Sequence, residues 1–107
     1  MKECIFCEIA NGDPEKLVWQ NEVAAAFNDL HPAAPVHVLV VPKKHFENLD
    51  QLDDEELAGK LLLAAREVAH KCGLKGGWKI KVNNGVAVGQ TVPHLHFHVL
   101  GGKELPE

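Results

Sequence analysis

Three histidines alternate with apolar residues over residues 94–100, whose sequence is HLHFHVL. Successive side chains of a β-strand point to opposite faces of its sheet. An extended segment therefore places the three imidazoles on one face and the apolar side chains on the other. A helix would distribute the same rings around its axis. The alternation thus predicts a β-strand over residues 94–100 that presents a row of histidines.

A row of imidazoles predicts a chemical site, because imidazole titrates near neutral pH and serves as nucleophile, general acid or metal ligand. Two interpretations stay open at this point. In the first, His94, His96 and His98 form a catalytic row in which one ring attacks an electrophile and a second donates a proton. In the second, the three rings bind a catalytic zinc ion, as alternating histidines do in zinc hydrolases.

The loop before the histidines favours a phosphate ligand. Asn83, Gly89, Gln90 and Thr91 offer amide, hydroxyl and unhindered backbone N–H groups within a few residues of the row. Such donors suit the oxygens of a phosphate group. A hydrolytic zinc site with three histidine ligands would not require a loop rich in donors.

Composition narrows the classes of partner. The chain has 107 residues, a formal net charge of −4 and no basic cluster beyond Lys43-Lys44. A protein that binds nucleic acid or a membrane surface through charge needs a basic stripe, so neither partner is expected. The sequence contains no long apolar run, so neither a signal peptide nor a membrane span is expected. Three cysteines in such a chain indicate reduced thiols and a cytoplasmic location.

Turn-forming residues divide the chain into short elements. In order, we predict a short helix over 4–10, hairpin strands over 17–20 and 23–27, a loop over 28–35, a strand over 36–41, a long helix, a strand over 78–82, a loop over 83–90 and the histidine strand. The order α-β-β-β-α-β-β predicts an α+β fold. We expect a single domain, residues 1–107, with an antiparallel sheet of about five strands, one long helix and one short helix.

Residues 53–56 open the long helix. Asp53 is the expected N-cap, with Glu56 three residues later, and acidic residues suit the positive end of a helix. An apolar stripe follows at helical spacing, and Gly73 is the expected stop.

Cys4 and Cys7 form a second constellation. A Cys-x-x-Cys pair in a short helix can simply be two small buried residues. It is not placed like a thioredoxin-type redox pair, which lies at the strand-to-helix turn of a βαβ unit. His45 and His94 are candidates to complete a Cys2His2 zinc site, the usual ligand set of a structural zinc ion.

These residues together resemble the histidine-triad family, whose signature is His-φ-His-φ-His-φ-φ, where φ is apolar. The matching segments are Gly89–Gly102, Phe27–Asp29, Ala34–His37, Val41–His45 and Val82-Asn83. The Leu100-Gly101-Gly102 ending is similar to that of the Hint branch of nucleoside phosphoramidases.

The resemblance implies a mechanism. His96 would attack the α-phosphorus of a purine nucleoside phosphoramidate and form a covalent nucleotidyl-histidine, which water then hydrolyses. His98 would donate a proton or hydrogen bond, and no cofactor is required for catalysis. The implied substrate-binding residues are Asp29, at the ribose, and His37, Asn83, Gly89, Gln90, Thr91 and His98. Two alternatives stay open, a hydrolase of dinucleoside polyphosphates and a nucleotide-binding module with little turnover.

The resemblance also bears on metal and assembly. Some members carry the cysteine pair and bind zinc, which implies a structural site of Cys4, Cys7, His45 and His94. Members of the family form homodimers. This implies a homodimer here as well, with the long helix and the strand at Trp78–Val82 in the interface.

Overall fold

A five-stranded antiparallel sheet carries two helices in the computed structural model, which describes residues 4–107. The strands are β1 (Trp19–Gln20), β2 (Ala24–Asn28), β3 (Val36–Pro42), β4 (Trp78–Lys81) and β5 (Phe97–Gly101). The helices are α1 (Ile5–Ala10) and α2 (Glu55–Lys71), and three short 3-10 turns cover Pro14–Lys16, Leu49–Gln51 and Val86–Val88. The spatial order is β1-β2-β3-β5-β4. The predicted α+β class, order of elements and number of strands are confirmed.

The apolar run of β3 lies at the centre of the sheet, between β2 and β5. Its alternate residues face opposite helices. Val38 and Val40 pack in the cluster that α2 covers, whereas Leu39 and Val41 pack with Phe6 of α1. Since strand residues alternate between faces, His37 shares the α1 face. The α1 side of the sheet is therefore the side on which histidines can be exposed to a ligand.

The long helix begins one residue later than predicted. Asp54, not Asp53, is the N-cap, and its carboxylate accepts a hydrogen bond from the backbone N–H of Leu57 at 3.0 Å. Two adjacent aspartates are equally able to cap a helix, so the local sequence does not distinguish them. Gly73 ends the helix as predicted, with φ +78°, a left-handed conformation that glycine adopts without strain.

The histidine strand is shorter than predicted, because β5 begins at Phe97. His94 and His96 precede it, and the backbone turns at Pro93, where the N–H of His94 donates to Val92 O at 2.8 Å. The N–H of Leu95 then donates to Phe46 O at 2.7 Å, outside the strand ladder. The apolar half of the prediction is confirmed, since Leu95, Phe97 and Val99 all lie in the core cluster under α2.

The remaining boundaries differ from the predictions by one or two residues. Within residues 4–107, no helix combines the length and apolar character needed to cross a membrane.

Candidate active site

A cavity of about 440 Å3 opens on the α1 side of the sheet. Most of its apolar lining comes from α1, β2 and β3, namely Ile5, Phe6, Ile9, Phe27 and Leu39, and the loop residues Leu30 and Val92 add to it. Its polar lining includes Asp29, Thr91, His96 and His98. An apolar slot with a few converging polar groups is the usual form of a small-molecule site.

Backbone geometry fixes the protonation of the His96 ring. Its Nδ1 lies 2.7 Å from the carbonyl oxygen of His94, which can only accept, so Nδ1 carries the proton and donates it. In this tautomer the lone pair of the ring is on Nε2. The ring packs edge-to-face against Phe6 at 5.1 Å and against His98 at 5.0 Å. His96 thus has an unprotonated nitrogen in a ring that lines the cavity.

The His98 ring is fixed by a chain of donors that begins at the backbone of Ala33. The N–H of Ala33 donates to His37 Nδ1 at 2.9 Å, which places the ring proton of His37 on Nε2. That Nε2–H points at His98 Nδ1, 2.8 Å away. His98 therefore carries its proton on Nε2, a buried atom for which residues 4–107 supply no partner. The arrangement leaves one N–H of His98 available to a ligand.

Burial keeps the rings of His98 and His37 neutral. It lowers the pKa of His98 to about 4, aided by the neighbouring His96, Lys81 and His37. Burial also lowers the pKa of His37, although the Asp29 carboxylate acts in the opposite direction. At neutral pH, His98 and His37 are hydrogen-bond donors without charge.

Asp29 serves two neighbours at the end of β2. Its Oδ1 accepts from the N–H of His31 at 2.8 Å, which caps the loop, and its Oδ2 lies 3.4 Å from His37 Nε2. Asp29, His37 and His98 are close enough to suggest a metal site. However, the Ala33 bond places a proton on His37 Nε2, so this nitrogen has no lone pair for a metal.

The donor-rich loop reaches the cavity at Thr91. Gly89 has φ +102°, and a Cβ there would lie 3.6 Å from Asn83 Nδ2, so Gly89 and Asn83 are neighbours. The Gln90 side chain, predicted as a substrate contact, is instead buried and bonded to backbone groups. His37 does not line the cavity and contacts it through His98 and Asp29.

The structure separates His94 from the other two histidines. Its ring is fully buried and lies outside the lining of the cavity. Its Nδ1 is 3.3 Å from Cys4 Sγ, 3.4 Å from Cys7 Sγ and 3.1 Å from His45 Nδ1. Cys7 Sγ lies 3.3 Å from His45 Nδ1. We call these four residues, Cys4, Cys7, His45 and His94, the Cys–His cluster.

The Cys–His cluster fits a zinc ion. Tetrahedral zinc bonds of ~2.3 Å to sulfur and ~2.0 Å to nitrogen imply S···N separations of about 3.5 Å. The Nε2 atom of His94 lies 2.9 Å from Pro42 O and must donate to it, which leaves the Nδ1 lone pair facing the thiols. Burial and the neighbouring Cys4 raise the pKa of Cys7 to about 11. A cation at the cluster, which zinc would supply, favours the thiolate of Cys7.

Several contributions to the site were not predicted from the sequence. Ile5 and Ile9 lie in the cavity lining, although the sequence indicated only a short helix over residues 4–10. Their i, i+4 spacing places them on one face of α1, which was the available signal of an apolar surface there. The Ala33 N–H had no signal, because any residue except proline supplies a backbone donor.

Comparisons with known proteins agree on one family. The HIT domain family model matches residues 11–105. An uncharacterised HIT-like protein of Synechocystis is 43% identical over 105 residues, covering 95% of this chain and 92% of that protein. Protein HitA of Neisseria gonorrhoeae is 41% identical over 104 residues, covering 94% of this chain and 97% of that protein.

Solved structures agree as well. A HIT family hydrolase from Legionella pneumophila aligns with a TM-score of 0.90 at 36% identity, covering 97% of this chain and 96% of that one. A histidine triad protein from Clostridium difficile aligns with a TM-score of 0.89 at 40% identity, covering 100% of this chain and 98% of that one.

Proposed function

Because this chain belongs to the HIT domain family, we propose that it is a Hint-like nucleotide hydrolase acting on purine nucleoside phosphoramidates or related conjugates. The fold is the one found in a solved HIT family hydrolase, which supports hydrolase chemistry. The substrate and the mechanism are our proposal.

The observation that carries the proposal is the ring orientation of His96. Its Nδ1 is held by His94 O, so the lone pair that can attack is on Nε2. A nucleophilic imidazole needs an unprotonated nitrogen aimed at the electrophile and a second partner that fixes the ring. His96 lies in the lining of a cavity large enough for a nucleotide.

The reaction proceeds in two displacements. His96 Nε2 bonds to the α-phosphorus, and the P–N bond to the leaving amine breaks as the amine takes a proton from solvent. Water then attacks the same phosphorus and releases a proton to solvent, the P–N bond to His96 breaks, and the nucleoside monophosphate leaves. Splitting one difficult displacement into two easier ones is the advantage of covalent catalysis. Preorganised neutral donors stabilise the charge that develops on the phosphate oxygens.

The nucleoside fits the rest of the cavity. The slot of Ile5, Phe6, Ile9, Phe27 and Leu39 suits the faces of a purine. Asp29, at the cavity edge, can accept hydrogen bonds from ribose hydroxyls, and the Nε2–H of His98 and the Thr91 hydroxyl can donate to the phosphate. His37 acts by orienting His98, and Asn83 and Gly89 by supporting the loop.

The alternatives differ in leaving group and in turnover. A dinucleoside polyphosphate hydrolase would turn over diadenosine tetraphosphate faster than adenosine 5′-phosphoramidate, whereas our proposal predicts the reverse. A nucleotide-binding module would turn over neither. Steady-state rates with both compounds, measured after brief exposure to excess chelator, decide among the three. A collapse of the rate with chelator would indicate a catalytic metal and contradict the proposal.

We also propose that zinc binds the Cys–His cluster as a structural ion. All four residues of the cluster are taken up by that role, so the ion ties α1 to the sheet and leaves His96 free. Metal analysis of the purified chain should find one zinc per chain.

We propose finally that the chain forms a homodimer through α2 and β4, and that it acts in the cytoplasm. β4 is an edge strand, with unpaired backbone groups. Leu62 and Leu63 are about half exposed on α2. Sedimentation equilibrium should give twice the chain mass, and Leu62→Glu should shift it to the monomer.

A further inference from the structure

We propose that Gln90 is a positioning residue whose buried side chain holds the loop of residues 85–92 in the shape that a substrate phosphate requires. The inference rests on the proposed function, since it concerns the phosphate end of the same cavity. It differs from the expectation from sequence, which placed Gln90 in direct contact with substrate.

The side chain of Gln90 has its donors and its acceptor engaged inside the protein. Gln90 is 7% exposed. Its Oε1 accepts from the N–H of Gly85 at 2.8 Å. Its Nε2 donates to Glu47 O at 2.6 Å and to Val92 O at 3.1 Å, which uses both amide hydrogens. A contact with substrate would require one of these buried bonds to break.

These bonds join both ends of the loop to a separate segment. Gly85 and Val92 are the ends of the loop, and Glu47 lies beyond β3. The backbone N–H of Gln90 also donates to Gly85 O at 3.1 Å. Two further bonds link the same stretches, from Leu49 N to Asn84 Oδ1 and from Leu95 N to Phe46 O, each 2.7 Å. Gln90 therefore fixes the shape of the loop and its distance from the segment after β3 that contains Glu47.

The loop delivers the phosphate donors. Thr91 and Val92 follow Gln90 directly, and both line the cavity with His96 and His98. A shift of the loop would displace the Thr91 hydroxyl from the phosphate while leaving in place the side chains of α1, β2 and β3 that form most of the nucleoside slot. Gln90 should consequently affect the phosphate and the reaction, and leave nucleoside binding intact.

Two substitutions separate the bonds of Gln90. Gln90→Met keeps the length of the side chain and removes all three bonds. Gln90→Glu keeps an oxygen that can accept from Gly85 and removes both donors. The matched control is Gln51→Met, which removes the bond from the Glu47 N–H to Gln51 Oε1, 2.8 Å, without touching the loop.

We would measure kcat with adenosine 5′-phosphoramidate, the affinities for AMP and adenosine, and hydrogen exchange at the Gly85 amide. In both Gln90 variants kcat should fall about a hundredfold, the loss expected for displacement of about 1 Å near the reacting group. AMP affinity should fall about tenfold, with adenosine affinity within about twofold of wild type. The Gly85 amide should lose protection in Gln90→Met and keep it in Gln90→Glu. Gln51→Met should behave as wild type.

Several results would overturn the inference. Equal losses of AMP and adenosine affinity would indicate a structural role only. A large loss of kcat in Gln90→Met with unchanged Gly85 exchange would indicate direct contact with substrate. Wild-type kcat in Gln90→Glu would show that the donors to Glu47 and Val92 are dispensable. Failure of the proposed function looks different, because the wild type itself would then not turn over the phosphoramidate.

Discussion

His94 and His96 lie two residues apart and have opposite environments. His94 donates from Nε2 to Pro42 O and presents its Nδ1 lone pair to two thiols. His96 donates from Nδ1 to His94 O, which leaves the lone pair on Nε2 in a ring that lines the cavity. In each ring a backbone carbonyl selects the tautomer. The ring nitrogen that donates to a backbone carbonyl therefore decides where the lone pair lies. That position decides whether the histidine can bind at the Cys–His cluster or react in the cavity.

The largest expected effect comes from removing the His96 nucleophile. His96→Asn should lower kcat/KM for adenosine 5′-phosphoramidate at least about a thousandfold, because no other residue can form the covalent intermediate. The melting temperature and zinc content should stay at wild-type values. His70→Asn, at an exposed position on α2, is the control. Substantial residual turnover in His96→Asn would contradict the assignment.

Substitution of His94 should have the opposite pattern of effects, on zinc binding and stability and not on turnover. His94→Asn should abolish zinc binding and lower the melting temperature by about 10 °C, because a structural ion contributes folding free energy. Its kcat should stay within about tenfold of wild type, since the carbonyl that holds His96 belongs to the backbone.

Cys4→Ser combined with Cys7→Ser should reproduce the effects of His94→Asn. Metal analysis and thermal unfolding provide the measurements. A loss of activity in His94→Asn as severe as that in His96→Asn would show that the two rings do not have separate roles.

The pH dependence of stability should identify the buried neutral ring of His98. The unfolded chain binds a proton at this residue near pH 6.5, whereas the folded chain binds it only near pH 4. Between these values the unfolded state holds more protons, so the free energy of unfolding decreases as pH falls. Over this range the shifted pKa of His98 accounts for about 3 kcal/mol of the free energy of unfolding.

Denaturant unfolding of wild type and His98→Asn from pH 7 to pH 4 measures this share. The variant should lose less stability over that range, and His70→Asn should follow the wild type. Identical pH profiles for wild type and His98→Asn would show that His98 is not held neutral.

The smallest expected effect concerns the ribose. Asp29→Asn should raise KM about tenfold, because one charge-assisted hydrogen bond becomes a neutral one. Asparagine keeps an oxygen for the N–H of His31, so the loop cap persists. With a 2′,3′-dideoxy substrate the same substitution should have little further effect, as expected when the two changes remove one interaction. Additive effects would place the ribose elsewhere.

The sequence predicted those parts of the fold that local patterns control. The β-branched run at Val36–Val41 is a central strand, and Gly73 ends the long helix, because side-chain shape and backbone freedom act over a few residues. Asp53 and Asp54 fit the local N-cap pattern equally well, so the choice between them depends on how α2 packs on the sheet.

The residue pattern alone predicted the site residues as a group, whereas the role of each ring was given only by the family resemblance. The row of His94, His96 and His98 was evident from alternation, yet the role of each ring depends on partners distant in sequence. Pro42 holds His94 from 52 positions away. The sequence placed the Gln90 amide among the donors of its loop. In the structure that amide donates to the carbonyl oxygen of Glu47, which lies 43 positions away.

The most direct test of the account is to trap the intermediate. Rapid quenching of the enzyme with adenosine 5′-phosphoramidate, followed by peptide mass mapping and 31P NMR, locates the nucleotide and the ring nitrogen that carries it. We predict adenylate bonded to Nε2 of His96. Adenylate bonded to another residue or to Nδ1, or turnover without any protein-bound nucleotide, would contradict the account.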